Sequence, residues 1–190
     1  MRRAEGALDF TDEELVGEAR GGSEVAFERL MQRYERLVYR IAVGFTGDPD
    51  SALDVSQNVF LRVHAGLAGW RGDGDLRSWI ARVTVNEAMN WSRGERRHRV
   101  TGLEGEPPAD PEPPQENGLW RRETRQVVRR SLDSLSPRQR LAVILRYFEE
   151  LPIRDIAAAL ECSEGVAKNV LFRSLKRMRA ALQASSEVLR

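Results

Sequence analysis

The residue types that most often carry chemistry are few in this chain and poorly placed for it. Two histidines, His64 and His98, and one cysteine, Cys162, make a protein-built zinc site an unpromising reading. The acidic pairs Asp48/Asp50 and Asp73/Asp75 stand beside Gly and Pro in turn-like stretches, and no Ser/His/Asp order, glycine-rich phosphate loop or HExxH accompanies them. An enzyme, a resident metal and a cofactor are therefore not expected. The side chains with a task are cationic. Residues 119–190 carry 15 Arg or Lys against 8 Asp or Glu, whereas residues 1–99 carry 15 against 16. Within the basic third, Lys168, Asn169, Phe172, Arg173, Lys176 and Arg177 fall along one side of a helix running from Glu164 to about Leu182, opposite Leu171, Ser174, Met178 and Leu182. Phosphates call for Lys and Arg, and base edges for side chains near the N-terminal half of such a helix. That face reads as a DNA contact; a solvated basic face is the alternative.

The helix needs a partner to hold it, and the sequence supplies one. Ile153 to Leu160 forms a short helix, Glu161-Cys-Ser163 a tight turn, and Ser163 caps the basic helix. Ile156, Ala157, Leu160, Ala167 and Leu171 pack the pair, which is the outline of a helix-turn-helix. Upstream, Val127, Val128, Ser131, Leu132 and Leu135 lead to Ser136-Pro137, a helix start with its proline at the first position. Leu141, Ile144, Leu145 and Phe148 continue an apolar stripe until Glu149-Glu-Leu-Pro152 breaks it.

The first half repeats the helical period. Phe27, Leu30, Met31, Tyr34, Leu37, Val38, Ile41 and Phe45 recur at three- and four-residue steps. After Gly47-Asp-Pro-Asp50, the residues Val55, Val59, Phe60, Val63 and Leu67 form a second stripe. Four glycines between Gly66 and Asp75 mark a loop, and a third helix runs from about Leu76 past Trp79, Ile80 and Val83 into Trp91 and a basic end, Arg93 to Arg99. No alternation of the kind a sheet needs is present. Between the halves, Glu104 to Gly118 holds five of the eight prolines, and residues 100–118 carry five acids and no base. Proline denies that stretch helix and sheet, and like charges extend it. The expected fold is all-α: two small helical domains, residues 10–99 and 119–190, joined by a flexible acidic Pro-rich linker over 100–118, after a flexible tail over 1–9, with the helix-turn-helix in the second. At 41% hydrophobic and 31% charged, the chain is too apolar for wholesale disorder. It also lacks the ~18 uninterrupted apolar residues of a membrane span. Two arginines at the start are followed by no apolar core, so a signal peptide is not read and a cytoplasmic protein is expected.

The order of these features resembles the extracytoplasmic-function class of sigma factors, the smallest members of the bacterial sigma-70 family. The resemblance rests on Asp54-Val-Ser-Gln-Asn-Val-Phe-Leu61, Gly69-Trp-Arg-Gly-Asp73, Ser78-Trp-Ile80 and Arg82-Val-Thr-Val-Asn-Glu-Ala88. A second block runs from Leu135-Ser-Pro-Arg-Gln-Arg-Leu141 through Tyr147-Phe-Glu-Glu-Leu-Pro-Ile-Arg-Asp-Ile-Ala157 to Ser163-Glu-Gly165. It implies partners: the clamp of the RNA polymerase largest subunit, the flap of the second-largest, promoter DNA and an anti-sigma factor. In that family the first domain binds the clamp and opens the minus-ten element, while the second reads the minus-thirty-five element.

Carried over by position, Asp54, Gln57, Asn58 and Leu61 fall on the polymerase-binding helix, with Asn58 where an acid is usual. Phe60 reads as core. Trp70, Arg71 and Asp73 lie in the base-capturing loop, with Trp79 as core or platform and Asn86 in the matching pocket. Arg93, Arg96 and Arg97 suit phosphates upstream, or form a solvated helix end. Ser163, Lys168, Asn169, Val170, Phe172, Arg173, Lys176 and Arg177 fall on the minus-thirty-five reader. Valines at 166 and 170 stand where threonine and arginine are usual, and Leu175 replaces another common arginine. The valines either meet a thymine methyl group or pack against a partner. The acidic linker is a stand-in for RNA in the polymerase cleft or a plain tether, and Cys162 reads as a packed thiol rather than a redox switch. Two other classes compete. A stand-alone helix-turn-helix regulator leaves Asp54 and Gln57 without a purpose, and an adaptor that only sequesters an anti-sigma factor leaves Arg173, Lys176 and Arg177 without one.

Overall fold

Each helix begins where a short polar side chain can take up free backbone N–H groups. In a computed structural model, which describes residues 10–72, 74–100 and 127–188 and the side chains of all of these except 96–100 and 184–188, Thr11 caps α1 (Asp12–Arg20) in a capping box with Glu14. Ser23 caps α2 (Glu24–Thr46), and Asp48 with Pro49 behind it starts α3 (Pro49–Leu67). Asp75 opens α4 (Leu76–Val100), its carboxylate accepting from the Arg77 N–H at 3.3 Å. After α5 (residues 127–133), Ser136 and Gln139 form a second capping box for α6 (Pro137–Val143). Then come a π-helical turn over Ile144–Phe148, α7 (Ile153–Ala159) and α8 (Glu164–Val188). No strand occurs among the described residues, so the all-α expectation holds. The linker 100–118 and the tail 1–9 lie outside the described residues, Val100's place at the end of α4 apart.

The predicted stripes are the core. Leu30, Tyr34, Leu37, Val38, Ile41 and Phe45 are buried on α2, and Val55, Val59, Val63 and Leu67 on α3, with Phe60 half-buried against them. The α1 helix was not legible in the period; its signal is Thr11 three residues before Glu14. It is bound to α2 by Arg33, whose Nη1 lies 2.6 Å from Asp12, and by the Tyr34 hydroxyl, which donates to the same carboxylate. Burial, then that hydrogen bond, pushes the Tyr34 hydroxyl well above the usual tyrosine range. In the second half, Leu141, Ile144 and Leu145 are buried as expected, but Phe148 is 54% exposed. The wide turn explains it: the Glu149 N–H reaches back five residues to the Ile144 carbonyl at 3.1 Å, and the extra residue rotates Phe148 outward. Leu182, expected on the inner side of α8, is also exposed.

The two halves share one continuous core. A single buried cluster runs from Leu15 in α1 to Leu171 in α8. Ile144 lies against Gly44 so closely that a methyl group on that glycine would sit 3.3 Å from its Cδ1. Arg140 donates to the Phe45 carbonyl at 2.9 Å, and the Ser78 hydroxyl donates to Asp155 at 2.8 Å.

Candidate polymerase and nucleic-acid interfaces

Three surfaces gather the residues that the sequence singles out. The first is the outer face of α3. With Val55, Val59 and Val63 turned inward, Asp54, Gln57, Asn58 and Leu61 stand exposed at i, i+3, i+4 and i+7, one above another. Leu61 is 69% exposed beside an acid and two amides, and Leu53 stands out next to them. An apolar side chain left in water within a polar rim is the composition of a protein contact surface. Leu53 was not anticipated; the signal available was a leucine off the apolar stripe.

The second surface is the cleft between the loop at 68–75 and the start of α4. Gly72 and Gly74 adopt left-handed backbone, φ 77° and 101°, which lets the loop fold back onto α4. Trp70 is buried at 8% exposure. Trp79 is half-buried, and its ring lies where a methyl group on Gly66 would meet it at 3.2 Å. A cleft of about 430 Å³ opens here, with Trp70, Arg71, Ser78, Trp79 and Arg82 on one side and Asp155 of α7 on the other. From its mouth Arg82, Asn86 and Arg93 continue along one face of α4, all exposed. Arg82 joins this row by geometry, a member that the sequence reading did not single out. The opposite side of α4 holds Glu87, buried, which pairs with Arg62 of α3 and accepts from Asn90 at 3.2 Å, so the row on α4 is braced against the helix that carries Asp54. Asp73 lies outside the described residues, and Arg96 and Arg97 fall on α4 with their side chains outside them.

The third surface is α8. The Ser163 hydroxyl accepts the Val166 N–H at 3.3 Å, and Arg138 of α6 donates to the Leu160 carbonyl at 2.7 Å, fixing the turn that aims the helix. Ala167, Leu171 and Ser174 face inward, and the Ser174 hydroxyl bonds back to the Val170 carbonyl at 2.6 Å. Lys168, Asn169, Phe172, Arg173, Lys176 and Arg177 are all exposed, as the sequence places them. Val170 is half-buried and packs on the core, whereas Val166 is exposed and shares the outward face with Arg173. Phe172 and Leu175 add an exposed apolar strip along the flank. Cys162, in the turn before α8, is half-buried against the core.

A family model for sigma-70 region 2 matches residues 30–98, and one for sigma-70 region 4 matches residues 125–178. The chain is 31% identical to the RNA polymerase sigma-H factor of Pseudomonas aeruginosa over 182 residues, which is 90% of this chain and 94% of that one. It is 30% identical to the ECF RNA polymerase sigma-E factor of Escherichia coli over 178 residues, 87% of this chain and 91% of the other. Among solved structures, its fold is similar to the sigma factor RpoE of Bartonella quintana bound to the anti-sigma factor NepR, with a TM-score of 0.67 and 24% identity over 83% of this chain and 96% of that one. CnrH in complex with the cytosolic domain of CnrY gives a TM-score of 0.69 and 21% identity over 91% and 97%.

Proposed function

The chain belongs to the extracytoplasmic-function class of the sigma-70 family and so serves in promoter-directed transcription initiation, and we propose which of its surfaces does what. The outer face of α3 docks on the polymerase clamp through Asp54, Gln57, Asn58 and Leu61. The row from the cleft along α4 takes the opened minus-ten strand, with Trp79 offering a ring to a base, Asn86 an amide to a base edge, and Arg82 and Arg93 charge to phosphates. Base stacking on an aromatic side chain is worth ~1 to 3 kcal/mol. The exposed face of α8 enters the major groove at the minus-thirty-five element. Lys168 and Asn169 lie near its N-terminus, where base edges come within reach, and Arg173, Lys176 and Arg177 hold the backbone. The domain bounds are those of the sequence reading, 10–99 and 119–190. The chain catalyses nothing itself and works in the cytoplasm, at the nucleoid when bound to polymerase. No described helix is long and apolar enough to cross a membrane. An anti-sigma factor holds it in reserve, a reading supported by the similar structure of the sigma factor RpoE in complex with the anti-sigma factor NepR.

The observation that carries this reading is the single stripe of Asp54, Gln57, Asn58 and Leu61 on a helix whose other side is wholly committed to the core. The experiment is co-purification with core polymerase. Asp54→Ala with Gln57→Ala is expected to abolish it while helical content stays unchanged. Normal recovery of core by that folded variant would overturn the docking face.

A further inference from the structure

Glu149 is a carboxylate with no exposure at all, and its partners come from the other half of the chain. Arg40 of α2 grips it with both prongs of the guanidinium, Nε to Oε1 at 2.9 Å and Nη2 to Oε2 at 2.7 Å. Arg77 at the start of α4 donates to the Glu149 carbonyl at 2.9 Å, and the same Nη2 stands 3.5 Å from Oε2. Next to Arg77, the Ser78 hydroxyl is met by a second acid of the same half, Asp155, at 2.8 Å. Two carboxylates of the C-terminal half thus occupy a run of donors, Arg40, Arg77 and Ser78, on the N-terminal half. Ser78 also lines the cleft with Trp70 and Trp79.

A planar fork that takes two carboxylate oxygens takes two non-bridging phosphate oxygens equally well, which is why arginine serves both. The arrangement cannot persist on a promoter. Elements about 25 base pairs apart, at about 3.4 Å per step, lie on the order of 80 Å apart. A compact chain of this length has a radius of gyration of about 16 Å. Reading both elements therefore draws Glu149 away and leaves the Arg40 and Arg77 guanidinium groups without its charge, the nearby Asp75 carboxylate staying on the Ser78 hydroxyl at 3.3 Å. Arg77 adjoins Ser78, which lines the cleft, so the pair lies close to the proposed path of a captured strand.

We propose that Arg40 and Arg77, with Ser78 beside them, form a phosphodiester-binding site for the opened promoter strand, and that Glu149 fills it as an internal phosphate mimic while the two halves are closed. The site rests on the reading of the cleft and α4 as the strand-binding row, and adds to it a ligand for the backbone and a reason for the row to be silent when the chain is free. It differs from a simple clasp, since a clasp predicts the same result whichever side of the ion pair is removed.

The test breaks that ion pair from each side in the full chain and follows binding of a fluorescent single-stranded dT12 oligonucleotide by anisotropy across a salt series. Glu149→Gln empties the site without removing its donors, so severalfold tighter binding is expected. Arg40→Gln with Arg77→Gln opens the same contact but deletes the site; it is expected to bind no tighter than the parent chain, with a salt slope smaller than that of Glu149→Gln by about 0.7 for the phosphate it cannot hold. Circular dichroism checks that each variant is folded, and Arg40→Lys with Arg77→Lys, which keeps charge but not the fork, is expected to fall between. Equal tightening by the glutamate and arginine variants would reduce the contact to a clasp and overturn the site. A Trp79→Ala/Asn86→Ala chain is the control. If it loses the oligonucleotide while the arginine variant binds like Glu149→Gln, the strand-binding row stands and the phosphate site falls. If Glu149→Gln shows no binding even at low salt, both fall.

Discussion

Asp48 shows how a single side chain sets an element in place. Its carboxylate accepts the Ser51 N–H at 2.8 Å, at the turn where α2 ends and α3 begins. The Ser51 side chain, then the Ser51 backbone, then charge from Arg129 hold the Asp48 carboxyl below the usual carboxylate range. A group depressed in the folded state stabilises it above the unfolded value, about 3.9, and that contribution is lost as pH falls through the depressed value. Asp48→Asn is therefore expected to lower Tm at pH 7, and the gap from the parent chain to close as melts are repeated toward pH 2. A gap that persists unchanged in acid would mean the cap acts without its charge. Single residues are also where the sequence was least legible. Trp70 and Trp79 look alike in a string of letters and both line the cleft, yet the first is buried and the second only half-buried. Val166 and Val170 are four residues apart on one helix, and only the first is exposed, the second packing in part on the core. A screen of base preference at the minus-thirty-five element should accordingly respond to Val166→Arg at one or two base pairs, each worth ~1 to 3 kcal/mol. Val170→Arg should instead show first as lost stability.

At the scale of elements, the helices whose inward face repeats over four or more turns were legible; α2, α3 and α4 begin at Ser23, Asp48 and Asp75, and α2 ends at Gly47. Gly47 closes α2 in left-handed backbone, φ 75°, and the Arg129 guanidinium stands 3.1 Å from where a methyl group would go. Gly47→Ala should cost about 1 to 2 kcal/mol for the conformation alone. For a domain of 150 to 250 residues that is a fall of roughly 2 to 8 °C in Tm. Short or irregular elements escaped the period. The nine residues of α1 carry too few apolar positions to show a stripe, and the π turn at Ile144–Phe148 shifts the register so that a phenylalanine counted as core ends up in water. On α8 the charged face was legible because its inner residues, Ala167, Leu171 and Ser174, leave only one way to turn it.

The whole molecule holds what no local pattern could give. Arg40 and Glu149 are 109 positions apart, Arg77 and Glu149 72, and nothing in the period of either helix connects them. The shared core was hidden for the same reason: an apolar face looks the same whether its partner is on the next helix or in the other half of the chain. Ile144 packs over Gly44 from the other half, leaving little room for a side chain there, so Gly44→Gln should wedge the halves apart. Small-angle scattering would then report a larger radius of gyration at unchanged helical content, and an unchanged radius would show that the halves adjust locally without separating. On the function proposed above, this chain, added to core polymerase, selects and opens promoters through the row on α4. The most direct measurement is in vitro transcription with core on a library of genomic fragments, with transcript starts sequenced and permanganate marking unpaired thymines. Starts are expected at a restricted set of sites sharing two upstream elements, with thymine reactivity lost in Trp79→Ala/Asn86→Ala at matched promoter occupancy. Starts no different from core alone, or full reactivity in that variant, would contradict that function.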